Sequence, residues 1–273
     1  MGPACRALHI SRASYYQWRS GTAGGRVAEN QRIAQLVQEI HRESPDKGYR
    51  RNLDKYYHTP VNDKRTLRIC RGLGIQSVVK HAPHGCTRAA SSPRQLAENV
   101  LDRQFYADRP NEKWLTDVTE FHYYTGTNMR KLYLSAILDL CDRRIVSFVI
   151  RDTNDAALVH RTLAQALEGN PGARPLLHSD RGSAYTTQIF HDKLAAAGIT
   201  QSMSRVGKCI DNGPMEGFWG ILKRERYYGR RFTSREQLVK MIQEYITYYN
   251  FHRLQRGLGV RTPMEVHDRL LAA

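Results

Sequence analysis

Three carboxylates stand where a carboxylate is costly. Asp117 lies inside the alternating stretch "WLTDVTEF", Asp180 closes the short apolar run "LLHSD", and Glu216 sits among apolar residues in "GPMEGFWGIL". A charge within an apolar strand is unfavourable unless it is paired or bound to a metal. Three carboxylates gathered at one place also repel and raise one another's pKa. A hard divalent cation resolves that conflict, because Mg²⁺ takes oxygen ligands, and Mn²⁺ suits carboxylates as well. Two such ions about 3.5–4 Å apart activate a water or a 3′-hydroxyl on one side of a phosphorus and stabilise the leaving oxygen on the other. The chemistry open to such a set is therefore phosphodiester cleavage or transfer. Taken singly, each acid is a weak signal, since a lone helix Glu more commonly pairs with a nearby Lys or Arg.

The elements around the acids follow from periodicity. "KWLTDVTEFHYY" alternates as a strand, and "KLYLSAILDLC" and "RRIVSFVIRD" are two more, apolar and β-branched, joined by a tight turn. "DAALVHRTLAQALEG" is an amphipathic helix, "PLLHSD" a short strand, "TQIFHDKLAAAGI" a helix and "TQSMSR" a short strand. The stretch bearing Glu216 is a helix. Two more follow, one opened by a capping box of Ser234 and Gln237, the other by Thr262, Pro263 and Glu265. Meandering strands followed by alternating helix and strand make a mixed α/β sheet with helices on both sides. In such sheets the carboxyl ends of central strands form the usual crevice, and Asp180 ends one of them. On the Glu216 helix, Asn212, Glu216, Gly220 and Lys223 share one face, Met215, Phe218 and Leu222 form the core face, and Trp219 sits between. Lys223 falls roughly 10 Å beyond Glu216 by helix rise, placed for a neighbouring phosphate.

Composition agrees with a polyanionic partner. The formal net charge is +16, in a chain that is 41% hydrophobic and 9% aromatic, as globular proteins are. Residues 1–100 hold 17 Lys and Arg against 7 Asp and Glu, so the first third is the more basic part. There, "ENQRIAQLVQEIHRES" and "GYRRNLDKYYH" read as helices. "VNDKRTLRICRGLGI" reads as a third, capped by Asn62 and ended by Gly72 and Gly74, with Leu67 and Ile69 as apolar contacts. Its Lys64, Arg65, Arg68 and Arg71 form one cationic stripe, as expected of a helix-turn-helix-like unit whose last helix lies along DNA. A solvated charged face on an ordinary bundle is the alternative. The Ala-, Ser- and Pro-rich segment after it reads as a linker, and "SRASYYQWRSGTAGG" as the end of an upstream DNA-contacting element. The expected boundaries are a basic segment over 1–28, the helix-turn-helix-like domain over 29–80 and a linker over 81–107. A catalytic core over 108–228 and C-terminal helices over 229–273 complete the chain. The five cysteines are scattered without a C-x-x-C, pointing to a reducing compartment. His81, His84 and Cys86 lack the second cysteine pair of a zinc site. No apolar run approaches 18 residues and the start has no secretory core, so a cytoplasmic protein without a membrane partner is expected.

Asp180 and Glu216 are separated by 35 residues, and Lys223 follows the Glu by seven. This resembles the D,D(35)E signature of the retroviral-integrase and transposase superfamily. "GYRR", "VNDKRTLRICRGLGI", "WLTDVTEF", "LYLSAILDL", "LHSDRGSAY", "CIDNGPMEGFWGILKRE", "YYNFHRLQRGLG" and "TPMEV" together resemble the second-frame product (OrfB) of IS3-family bacterial insertion sequences, from about Ser11 to Val266. The resemblance implies a ribonuclease-H-like core, a mixed five-stranded sheet flanked by helices, preceded by a small all-helical helix-turn-helix-like domain. It implies Asp117, Asp180 and Glu216 as ligands of two divalent cations, Mg²⁺ or Mn²⁺. It further implies double-stranded DNA as substrate, cut by water at terminal inverted repeats and then joined by strand transfer to target DNA. A homo-oligomer on DNA at the nucleoid, and a first-frame (OrfA) product or fusion as partner, belong to the same expectation. Lys223 is then expected at the phosphate near the cut. His178, on the strand face of Asp180, is read equally as near the DNA or as a packed histidine. Asn212 is read as positioning Glu216 or DNA, or as a helix cap. Asp139 is read as structural or supporting, and Asp211 as nearer to bulk and not a ligand. The chain departs from the family pattern at Arg181, at Val206 to Lys208, and at Leu254 and Gln255. Two other readings compete: a DNA-binding regulator that occupies terminal repeats without cutting, and a nuclease of the same fold without preference for them.

Overall fold

Alternating apolar residues bury one face of a strand against each helical layer, and the second half of the chain is built on that rule. The computed structural model of the chain describes residues 2–7, 10–19, 25–43, 45, 48, 61–78, 96–206 and 209–272. Contacts divide the chain into two compact units, residues 1–78 and 79–273.

The first unit contains α1 (Gly2–Ala7), α2 (Arg12–Arg19), α3 (Gly25–Glu43) and α4 (Asp63–Gly72). Ile33 and Val37 of α3 bury against Cys70 of α4, with Leu36, Ile40, Val61, Ile69 and Ile75 packed around them. Thr66 and Cys70 are the buried residues of α4, and Leu67 is only half-buried. Asn62 caps α4 as expected, its Oδ1 accepting from the Lys64 N–H at 2.9 Å. Gly74 follows with φ +66°, a conformation that favours glycine after a helix end. The helix expected over "GYRRNLDKYYH" lies almost wholly outside the described residues, as do the His81, His84 and Cys86 cluster and most of the linker.

The second unit is a five-stranded mixed sheet ordered β3-β2-β1-β4-β5. β1 (Lys113–Thr125), β2 (Asn128–Asp139) and β3 (Ile145–Arg151) form an antiparallel meander. β4 (Leu176–Ser179) runs parallel to β1, and β5 (Thr200–Met203) parallel to β4. Parallel neighbours need long crossovers, here supplied by α5 (Ala156–Glu168) and α6 (Gln188–Ala196). These pack Val159, Leu163, Phe190 and Leu194 on the face carrying Trp114, Ile137 and Leu177. The opposite face, with Leu115, Phe121, Leu132 and Leu134, is covered by α7 (Gly213–Leu222) through Met215, Phe218 and Leu222, and by α8 (Arg235–Phe251) through Leu238, Ile242 and Tyr245. α9 (Pro263–Leu271) ends the chain with a complete capping box between Thr262 and Glu265.

The fold departs from the sequence-based expectation in two places near the acids. The last part of the expected linker is packed on the core: Leu101 and Ala107 are buried, and the Leu101 N–H donates to Ser202 Oγ at 3.1 Å. The Glu216 helix also does not run on as one α-helix. Lys223–Tyr227 forms a π-helical turn. In that wider turn Glu225 faces inward, accepting from the Arg253 guanidinium at 2.9 Å and from the Tyr245 hydroxyl at 2.9 Å.

Candidate active site

Asp117 and Asp180 are aligned by strand register. The β1–β4 ladder ends at the pair Leu115 and His178. Asp117 and Asp180 each follow that last pair by two residues, Asp180 just past the end of β4, and the Asp180 charge is felt at Asp117. Beyond that point, among the described residues, β1 pairs with β2 alone, Asp117 opposite Ala136. Asp117 shares the strand face of Leu115 and Phe121, the face that α7 covers. The Trp219 indole Nε1 on α7 donates to Asp117 Oδ2 at 3.0 Å. Burial and the neighbouring Asp180 charge push Asp117 up to about 7, with a smaller contribution from Glu216, while the Trp219 and Val118 N–H groups oppose the shift.

Asp180 is half-buried, and burial raises its pKa. Its Oδ1 accepts from the Gly182 N–H at 2.8 Å. A Cβ on residue 182 would lie 2.9 Å from that oxygen, so glycine permits the close approach. Glu216 is exposed in the first turns of α7, and its charge reaches Asp117 more weakly than that of Asp180. Among the described residues no three His, Cys, Asp or Glu side chains converge into a ready-made metal cage. The donor chemistry nevertheless fits a hard cation: oxygen ligands only, and a carboxylate whose pKa burial, and then the adjacent Asp180, raise to about 7.

Lys223 opens the π turn, half-buried, with Nζ 5.0 Å from the Phe121 ring centroid. Burial lowers its pKa, and the charges of Asp117 and Glu120 oppose that. It therefore belongs to the same neighbourhood as the first acid. Asn212 is buried at the start of α7 but does not cap it with its side chain. Instead Nδ2 donates to the Thr116 carbonyl at 3.2 Å, fastening the helix to β1 beside Asp117. Among the described residues, the Asn212 Oδ1 is buried without a hydrogen-bond partner.

Several expected residues serve other ends. His178 is fully buried, with Nδ1 2.8 Å from Ser202 Oγ and Nε2 3.0 Å from Ser204 Oγ. Burial depresses it to about 4, so it is a neutral packed histidine with no surface for DNA. Arg65 leaves the cationic stripe: Nη2 pairs with Glu29 at 2.8 Å and Nε donates to Asn30 at 2.9 Å, tying α4 to α3. Lys64, Arg68 and Arg71 remain exposed. Asp139 is structural, one of the roles expected of it: fully buried, it accepts from the Asn111 N–H at 2.6 Å, the Cys141 N–H at 2.8 Å and the Trp114 indole at 3.2 Å. Asp211, read as nearer to bulk, is in fact fully buried between Arg103 at 2.7 Å and Arg205 at 2.8 Å, which hold its pKa well below the usual carboxylate range.

Two contributors escape sequence reasoning. Trp219 is one; its position three residues after Glu216, at the edge of the core face, is the only sequence signal. Tyr185, buried with its hydroxyl 3.3 Å from Thr116 Oγ1, is the other. Burial and the charges of Asp117 and Asp180 keep its hydroxyl neutral.

Comparison with known proteins agrees with this architecture. Residues 107–209 and 197–263 match families described as integrase core domain, and residues 28–83 match an HTH-like domain. The chain is 35% identical over 269 residues to the putative transposase InsK for insertion sequence element IS150 of Escherichia coli K12, covering 97% of this chain and 92% of the relative. It is 28% identical over 284 residues to transposase InsF for insertion sequence IS3A of the same organism, covering 98% and 94%. Its fold resembles a chain in the cryoEM structure of the simian T-cell lymphotropic virus intasome in complex with PP2A regulatory subunit B56 gamma. The TM-score is 0.51 at 19% identity, over 86% of this chain and 74% of that one. That likeness carries the fold, which is the ribonuclease-H-like one of retroviral integrases. With two acids just past the β1–β4 ladder, a third on the helix that covers the sheet, and relatives of this similarity over nearly their whole length, the chain belongs to the IS3-family insertion-sequence transposases, enzymes built on an integrase catalytic core.

Proposed function

We propose that Asp117, Asp180 and Glu216 are the catalytic acids and hold two divalent cations, Mg²⁺ or Mn²⁺. With them the chain cuts one DNA strand at terminal inverted repeats and joins the freed 3′-hydroxyl to a phosphodiester. The observation that carries this reading is that Asp117 and Asp180, each two residues past the last β1–β4 pair, act on one another's charge beside a helix tied to Asp117 through Trp219. Divalent cations bound there supply activation of the attacking oxygen and stabilisation of the leaving oxygen. The protein's own groups do the rest. Trp219 fixes one oxygen of Asp117 and the Gly182 N–H fixes one of Asp180. Asn212 holds α7 against β1. The Lys223 ammonium, near Asp117, binds a phosphate of the strand being cut. Lys64, Arg68 and Arg71 on α4 hold the duplex by its phosphates. Double-stranded terminal repeats and target DNA are the partners, with a homo-oligomer assembled on them and the first-frame product joining it, in the cytoplasm at the nucleoid.

The test is a strand-cutting and joining assay on a labelled duplex carrying the element's own end, with Mg²⁺ or Mn²⁺, comparing the chain with Glu216→Gln. Metal-dependent nicking at the repeat end that disappears in the variant, with DNA binding retained, is the expected result. Equal cutting by both proteins, or cutting without metal, refutes the assignment. Binding without cutting by both favours a regulator that occupies the repeats.

A further inference from the structure

A cavity of about 420 Å³ opens between the π turn and α8, lined by none of the three acids. Arg226, Arg230 and Lys240 stand at its walls, and Phe232, Met241 and Tyr248 contribute aromatic and thioether surface. Its one acid, Glu244, lies 3.8 Å from Lys240 one helical turn away, and both are largely exposed. The cavity is therefore cationic on balance. The Arg226 guanidinium lies 5.6 Å from the Tyr248 ring centroid, so cation and ring are presented together. Phe232 is held by stacking on Tyr227, with centroids 5.7 Å apart and planes within 6°.

Position supports a substrate-related role. Arg226 follows Glu216 by ten residues along α7 and the π turn, roughly 15 Å by helix rise. That is the length of about four nucleotides of a duplex strand. Lys223, Arg224, Arg226, Arg230 and Arg231 form a basic run in the chain after Glu216, and Arg226 and Arg230 of it line the cavity. Cations that neutralise phosphates, interleaved with rings on which bases stack, are the combination that binds a nucleic-acid strand without reading its sequence. The volume lies within the usual range of small-ligand sites.

We propose that this cavity holds one unstacked nucleotide of the DNA strand that passes the catalytic acids, its phosphate on Arg226, Arg230 and Lys240 and its base against Tyr248 and Met241. The inference rests on the proposed strand-cutting activity. An acidic protein segment could use the same cations, but it would not exploit the ring beneath Arg226 as a base does.

The full chain is titrated by fluorescence anisotropy with two labelled probes, a 20-nucleotide thymidylate strand and an abasic strand of the same length. The thymidylate strand is expected to bind about five- to a hundredfold more tightly, as stacking of a base on an aromatic ring gives. Tyr248→Ala removes most of that preference while leaving the abasic strand unaffected. Tyr248→Leu, which keeps apolar bulk, does the same should the Ala variant unfold. Arg230→Ala with Lys240→Ala weakens both probes and lowers the slope of log affinity against log salt by about 1.4, two phosphate contacts at about 0.7 each. Equal binding of the two probes overturns the proposal, as does a preference that neither Tyr248 variant moves. So does displacement of the strand by an oligo-glutamate peptide that needs Arg230 and Lys240, because the cavity is then a protein-docking site. If the cavity variants bind and nick like the unmodified chain while Glu216→Gln does not nick, the cavity inference fails alone. If the unmodified chain neither binds nor nicks DNA, the strand-cutting reading fails with it.

Discussion

Replacing Trp219 with phenylalanine should weaken divalent-cation binding without unfolding the protein. The indole N–H donates to Asp117 Oδ2 at 3.0 Å, and the ring is only 6% exposed, with Phe218 5.0 Å away between centroids. Phenylalanine keeps an aromatic ring in that place and deletes one charge-assisted hydrogen bond, worth about 1.5–3 kcal/mol. At about 1.4 kcal/mol per decade this is roughly a ten- to hundredfold loss of affinity, the same range found when outer partners of metal ligands are removed. The loss arises because Asp117 is freed to rotate away from Asp180. Calorimetric titration of Mn²⁺ into the native chain and the Trp219→Phe variant measures it directly, with thermal unfolding as control. An affinity unchanged within about twofold would show that Asp117 is held by the strand alone. A loss matched by an equal fall in melting temperature would assign Trp219 to packing.

Arg253→Met should be strongly destabilising, because it strips the buried Glu225 carboxylate of its guanidinium while the Tyr245 hydroxyl, a neutral donor, still points at it. A broken buried pair costs about 3–5 kcal/mol, and adding Glu225→Leu should recover most of it in thermal melts. Asp211 gives an acid-sensitive term. Its pKa is depressed, first by Arg205 and also by Arg103, so its stabilisation is complete above the unfolded value of about 4 and is lost as pH falls through the lower folded value. Asp211→Asn should therefore melt lower at pH 7 and approach the native chain as the buffer becomes more acidic; parallel curves would refute the pairing. On α4, Arg68→Ala should weaken duplex binding and flatten the salt dependence by about 0.9 with little change in melting. Arg65→Ala should instead loosen the α3–α4 contact, because its charge is committed to Glu29.

The strands and the crossover helices are legible in the sequence because each depends on local pattern, alternation or helical spacing, and the three acids are marked there as carboxylates that interrupt apolar runs. The features that are not legible depend on neighbours distant in the chain. Alternation places His178 on the face of Asp180, yet only Ser202 of β5 and Ser204 just beyond it decide that the ring is covered. The stripe on α4 includes Arg65 by angle, but Glu29 and Asn30 of α3 capture it. Asp211 follows exposed Ile210 and looks solvent-facing until Arg103 and Arg205 close over it. The π turn escapes periodicity altogether, and its inward Glu225 pairs with Arg253, 28 residues away.

The two-residue overhang past the β1–β4 ladder has a consequence for which changes of chain length the site survives. The alignment of Asp117 and Asp180 is counted from Leu115 and His178, not along the 62 residues that separate the two acids. Lengthening the β1–β2 hairpin tip at Gly126, or the loop before β4, leaves that count untouched. A single residue inserted between Leu115 and Asp117 would carry the carboxylate to the opposite face of the sheet, away from Trp219 and toward α5 and α6. Tolerance to insertion should thus be lowest in two very short windows and high across most of the intervening turns, a map that a scanning-insertion library would trace without any knowledge of the substrate.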